Sequence, residues 1–305
     1  MDVLIPYLSA KLSKILNNCT RRPTLEKIAL ITDSCGDLTL ETMKKLNIFM
    51  FPIRLVYKNK EFLDKIEITA EEMYRRLPEE IPTTSLPDLG YCEQVLFDLK
   101  SQGFTHFIVT TVSTHLSGTY NAIRLMFENH TEVTHYLFDT KTLGYPQGVI
   151  TSEIALLIQS GKSFKEVIAT LEKIRTKTHG FIALDTLEYL KKGGRIGTVA
   201  ATVGELLNLK PIISSNETGT LYTYAKARGK KKAITKIKEI ALSYLDKGPC
   251  KIWILHADAR SEGEILLEDL KCHPNILSIS LEIIGPSMGT HTGPGVVGFA
   301  LFEAQ

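Results

Sequence analysis

The chain has 305 residues, 44% hydrophobic and 23% charged, with 36 Lys and Arg against 34 Asp and Glu for a net charge of +2. This composition excludes disordered, collagen-like and low-complexity classes. The near balance of charge excludes nucleic-acid or membrane binding driven by overall charge, and the length points to two domains or one large α/β domain. Residues 1–26 place Val3, Leu4, Ile5, Leu8, Leu12, Ile15 and Leu16 at helical spacing around Lys11 and Lys14. That pattern predicts an amphipathic helical extension, not a signal peptide. No run of 18 apolar residues occurs, so no transmembrane span is expected. Cys19, Cys35, Cys92, Cys250 and Cys272 are odd in number and widely spaced. They fit neither a disulfide framework nor a zinc site, and a reducing, cytoplasmic setting is expected.

From residue 27 the pattern alternates. A short apolar run over 27–32 predicts a buried strand ending in the turn-forming segment 33–37. A helix over 39–46, a strand over 48–57 and a helix over 68–77 follow, the last with Thr69 as N-cap. A loop over 81–88 precedes a helix over 90–101. Then come a strand over 104–111, a loop over 113–119, a helix over 120–128, a strand over 133–138 and an apolar helix over 144–161. Strands alternating with helices predict a parallel, Rossmann-like sheet covered on both faces. In such sheets ligands bind at loops beyond the strand C-termini, which singles out 33–37, 83–88 and 113–119.

The second half differs. A helix over 163–176, a strand over 181–184, short helices over 187–192 and 202–208, and a hairpin around Asn216–Gly219 are expected. A basic helix over 230–244, two further strands and a helix between them lead to Gly289–Gly295 and a last apolar strand. These elements predict a C-terminal α+β domain with a mainly antiparallel sheet. The expected layout is an extension over 1–26, an α/β domain over 27–177 and an α+β domain over 178–305.

Several segments carry chemistry. Ser117-Gly118-Thr119 either holds a carboxylate or phosphate or simply caps a helix. Thr83-Thr84-Ser85 offers three hydroxyls between Pro82 and Pro87, as a preorganised ligand loop or a capped turn. Gly193-Gly194-Arg195 lacks the spacing of a phosphate-binding P-loop and on its own fits a helix C-cap with a surface arginine. His291-Thr-Gly-Pro-Gly295 implies a backbone forced close to something, with His291 aimed by it. The basic stretch Lys226–Lys238 lacks the aromatic interleaving of a nucleic-acid surface.

Six collinear pieces resemble the DegV family of bacterial lipid-binding proteins, which includes the fatty-acid-binding subunits of fatty acid kinase. They are Ile31-Thr-Asp-Ser34, Pro82-Thr-Thr-Ser85, Leu116-Ser-Gly-Thr119, Leu187–Arg195, Leu207–Ile212 and His291–Gly295. The resemblance implies two lobes with a long-chain fatty acid between them. It also implies a carboxylate held by Thr84, Ser85, Ser117, Gly118 and His291. Arg195 and Arg228 match positions near the head group or facing a partner. By the same resemblance the chain is a non-catalytic subunit that presents its lipid to a kinase for acyl-phosphate formation. It would carry no metal or cofactor beyond the bound lipid and bind no nucleic acid, and transient membrane contact stays open. The alternatives are a stand-alone hydrolase or phosphotransferase using Ser117 and His291, or a lipid-sensing regulatory protein.

Overall fold

The computed structural model describes residues 26–202 and 208–304. The helices expected in 1–25 and across 203–207 lie outside the described residues. The chain runs β1 (Ile28–Asp33), α1 (Leu40–Leu46), β2 (Ile48–Phe51), β3 (Arg54–Val56), β4 (Glu61–Leu63), α2 (Ala70–Arg76), β5 (Thr83–Ser85) and α3 (Leu89–Ser101). It continues through β6 (His106–Thr111), α4 (Thr119–Glu128), β7 (Thr134–Asp139), α5 (Tyr145–Gln159), α6 (Phe164–Ile168) and α7 (Leu171–Thr176). Next come β8 (Thr178–Ala183), α8 (Glu188–Lys192), β9 (Leu209–Ser215), β10 (Leu221–Arg228) and α9 (Lys230–Leu245). The last elements are β11 (Cys250–Ala257), α10 (Arg260–Leu270), β12 (Ile276–Ile283), α11 (Pro286–Thr292) and β13 (Val296–Glu303).

β1 is buried at every position because helices cover both faces of its sheet. Ile28 and Leu30 join one apolar layer and Ala29 and Ile31 the other, the period of two that a strand imposes. The sheet is parallel, in the order β2-β1-β6-β7. A six-stranded sheet in the order β10-β9-β8-β13-β11-β12 follows, antiparallel except for the β11–β12 pair. The mixed α/β class, with a parallel N-terminal sheet and a mainly antiparallel C-terminal one, is thus as expected.

Four local readings need correction. The strand expected over 48–57 is two strands in different sheets, because Pro52 offers no N–H to continue a ladder. Residues 83–85 are not loop but β5, paired antiparallel with β3 in a small third sheet. The helix over 163–176 breaks into α6 and α7, where the Thr170 hydroxyl donates to the Val167 carbonyl and competes with the helix. Finally, His291 does not sit in a loop. It lies in the last turn of α11.

α5 joins the two sheets. Residues 145–151 are all buried, because this end of the helix packs against β8 and β13 as well as the parallel sheet. A largely apolar helix suits such a position, and its two buried polar side chains, Gln147 and Thr151, find partners in Asp33 and Thr110. Gly148 lets α5 touch the turn after β1: a Cβ there would lie 2.1 Å from the Gly36 carbonyl oxygen and 2.9 Å from Leu38. No helix among the described residues is long and apolar enough to cross a membrane. Gly148→Ala is expected to cost about 3 kcal/mol by overpacking against backbone. Denaturant unfolding measures it, and a loss below about 1 kcal/mol would contradict this packing.

Candidate functional site

A cavity of about 310 Å³ lies between the two sheets, within the range of roughly 300–1,000 Å³ typical of ligand sites. Val112, Leu116, Ile182, Ile213, Leu255 and Ile284 line it from both sides. Its polar end is formed where Thr84, Ser85, Ser117, the Gly118 backbone, Arg195 and His291 reach the wall, and Asp37, Ser287 and Thr292 line the cavity as well.

Each is placed by its own element. Thr84 pairs with Leu55 across β5–β3. Arg54 secures the neighbouring segment: its Nη2 donates to Ser85 Oγ at 3.2 Å and its Nε to the Leu86 carbonyl at 3.1 Å. Ser85 accepts that bond and keeps its own hydroxyl hydrogen for donation. The loop after β6 is pinned at its base, where the Val112 N–H donates to Asp33 Oδ2 at 2.8 Å and Ser113 Oγ donates to the Gly219 carbonyl at 2.8 Å. Ser117 Oγ lies 2.8 Å from Thr119 Oγ1 and accepts from the Thr119 N–H at 3.3 Å. Gly118 is the N-cap of α4 and is exposed.

His291 Nε2 lies 2.8 Å from Thr84 Oγ1, a bond that joins the two sides of the cavity. Its Nδ1 is buried without a hydrogen-bond partner, pressed so closely on Gly193 that a Cβ there would meet it at 2.1 Å. Gly293 is equally constrained, with φ of 71° and the Tyr189 ring where its Cβ would stand. The close backbone approach expected of this glycine-rich segment is therefore real, and α8 is what it approaches. Burial, and secondarily the charge of Arg195, holds His291 down at about 4, so the imidazole is neutral at pH 7. α11 is tethered at its other end by Asp37, whose Oδ1 accepts from the Gly285 N–H at 3.1 Å and lies 3.6 Å from Lys65 Nζ. Burial outweighs Lys65 and lifts Asp37 to about 7.

Arg195 is not a surface arginine. It is half-buried, donating from Nε to the Leu116 carbonyl at 3.3 Å and from Nη1 to the Gly193 carbonyl at 2.6 Å. Among the described residues no carboxylate pairs with it, so its charge faces the cavity uncompensated. Arg228 lies at the exposed end of β10 and does not line the cavity, so it makes no head-group contact there. Ser117 and His291 bond to other partners and form no nucleophile–base pair. No group of side chains among the described residues has the makings of a metal site.

Sequence reasoning missed Thr142, Ser214 and Ser215, which also line the cavity. Thr142 Oγ1 and Ser215 Oγ lie 3.0 Å apart, so that pair already satisfies itself. No local motif marks these positions. The signal available was only the two serines at the end of a strand before a hairpin.

The DegV family model, described as "Uncharacterised protein, DegV family", matches residues 27–304. A DegV domain-containing protein of Clostridium perfringens is 46% identical over 277 residues, covering 91% of this chain and 99% of the relative. Among solved structures, a DegV family protein from Thermus thermophilus described for its fatty acid binding has a TM-score of 0.84 at 27% identity, covering 91% of this chain and 99% of that one. A stearic-acid-binding protein from Eubacterium ventriosum has a TM-score of 0.82 at 25% identity, covering 91% and 98%. With family model, curated relative and solved folds all matching from near residue 27 to the C-terminal strand, the chain belongs to the DegV family.

Proposed function

We propose that this chain binds a long-chain fatty acid in the cavity between its sheets and presents the carboxylate to a partner kinase. The observation that carries the reading is the cavity's make-up: walls that are mostly apolar, with Asp37, Thr142, Ser214, Ser215 and Ser287 among them, and a cluster in which Thr84 and Ser85 hydroxyls, a neutral His291 imidazole and the Arg195 guanidinium come together. An acyl chain of about 16 carbons gains roughly 12 kcal/mol gross on burial, at about 0.8 kcal/mol per CH2. A carboxylate drawn in with it forfeits much of that unless charge and donors meet it. Arg195 supplies the charge, and Thr84, Ser85 and Ser117 supply hydroxyl donors. A kinase needs access to that carboxylate, and exposed Leu86 and Gly118 at this end favour an open head-group side. The same reading makes the chain a carrier with no catalytic residue of its own, working in the cytoplasm.

Native mass spectrometry of the purified chain is expected to reveal one fatty acid per molecule. If the protein neither retains nor takes up such an acid, the reading fails. Ser117→Ala should weaken binding by about 1–3 kcal/mol and Arg195→Met by at least as much, since hydrogen bonds to a charged group are the stronger class. Unchanged affinity in both folded variants would remove the carboxylate from this end. Addition of the partner kinase and ATP should yield acyl-phosphate only when the loaded chain is present.

The state of His291 gives a separate check. Its folded pKa lies below the 6.5 of an ordinary histidine. The unfolded chain therefore takes up this proton first on acidification, and His291 subtracts stability as pH falls from about 6.5 towards about 4. Imidazole NMR of the lipid-free protein should show His291 neutral until close to pH 4. A midpoint near 6.5 would mean that the ring is solvated.

A further inference from the structure

We infer that the contact between Pro146 and Gly180 is the floor of the cavity and sets the length of acyl chain it accepts. The inference rests on the fatty-acid reading above and adds the residues that measure the chain.

Strand register provides the ruler. β13 begins at Val296, just past the segment that carries His291, and runs away from the polar end. Val296 pairs with Ala257 at that level. Two residues further, Gly298 pairs with Ile182 on one side and Leu255 on the other, and Ile182 pairs in turn with Ile213. Ile182, Leu255 and Ile213 all line the cavity. Two residues further again, Ala300 pairs with Gly180 and Trp253. From Val296 to Ala300 the strand advances roughly 14 Å, at about 3.4 Å per residue. In this third row only Gly180 lines the cavity.

The first turn of α5 closes that row. A Cβ on Gly180 would stand 2.3 Å from Pro146 Cγ, so the proline ring rests directly on the bare glycine backbone. Beside it the Tyr145 ring packs on Trp253 with centroids 6.0 Å apart. Pro146 occupies the start of a helix, where its missing N–H costs nothing, so its ring is a rigid stop on a stable element. An extended chain advances about 1.2 Å per bond, from roughly 3.5 Å per three-bond residue, so each carbon gained or lost at the floor is a resolvable step.

The test offers lipid-free protein an equimolar ladder of saturated fatty acids of graded length and identifies the bound species by native mass spectrometry. Pro146→Ala removes two ring carbons while keeping the helix start, and the preferred length should rise by about two carbons. The pair Pro146→Ala with Gly180→Ala puts a methyl group back into the gap from the opposite wall and should lower the preference again. Circular dichroism and thermal melts establish that both variants are folded. An unchanged preference in fully loaded Pro146→Ala, or a pair that keeps the longer preference, overturns the inference while leaving fatty-acid binding intact. Failure of the wild-type chain to take up any member of the ladder instead overturns the binding reading, and this inference with it.

Discussion

One buried carboxylate ties together three of the segments that build the cavity. Asp33 is fully buried and accepts three donors: the Cys35 N–H at 3.0 Å, the Val112 N–H at 2.8 Å and Gln147 Nε2 at 2.8 Å. Those donors belong to the turn after β1, the loop after β6 and the first turns of α5. Burial still prevails over the donors and raises Asp33 to about 6. The three segments it joins carry Asp37, which tethers α11, then Ser117, then Pro146. The turn after β1, the loop that carries Ser117 and the start of α5 that carries Pro146 are therefore positioned from a single point, with the Gly36–Gly148 contact holding the same helix against the same turn.

From that junction the cavity divides by polarity for an electrostatic reason. A guanidinium without a carboxylate partner is costly to half-bury, and Arg195 is held there by two backbone carbonyls that satisfy donors without cancelling charge. The neutral imidazole of His291 adds a polar partner for Thr84 without a second positive charge. One formal positive charge at the polar end matches a singly charged ligand and disfavours a dianion, whose second charge would stay unpaired. Thr84 hydrogen-bonds across to His291 and Arg195 reaches the Leu116 carbonyl. The polar end thus also ties the two halves of the molecule together.

What was legible in the sequence follows from which features are local. The strand expected over 27–32 and the N-cap at Thr69 are written in short runs, and both stand in the structure, the strand one residue later, over Ile28–Asp33. The hydroxyl-rich and glycine-rich loops were visible because ligand contact and close backbone approach demand unusual residues in a few consecutive positions. Periodicity fared worse where a single residue decides, as at Pro52, which ends one strand and sends the next to another sheet. It failed to place His291 on a helix, because Gly289 and Gly293 disguise a seven-residue element whose burial, not propensity, makes it helical. Arg195 read as a surface residue because the loop that covers it lies about eighty positions away in sequence. The cavity walls were illegible for the same reason: Ile182, Ile213 and Leu255 meet there from three strands far apart in sequence.

The two ends of the cavity are built from different kinds of structure. The polar end is made by a short strand, loops and helix termini, and Thr84, Ser117, Gly193, Arg195 and His291 there share contacts, so a change disturbs several partners together. The floor is a single van der Waals contact between a helix start and a strand, in the row about 14 Å along β13 from Val296. Substitutions separated by more than about 10 Å and sharing no partners act nearly independently. On the proposed reading, a substitution at the Pro146–Gly180 contact would therefore change which acyl chain is held while leaving the Thr84–His291 and Arg195 contacts as they are.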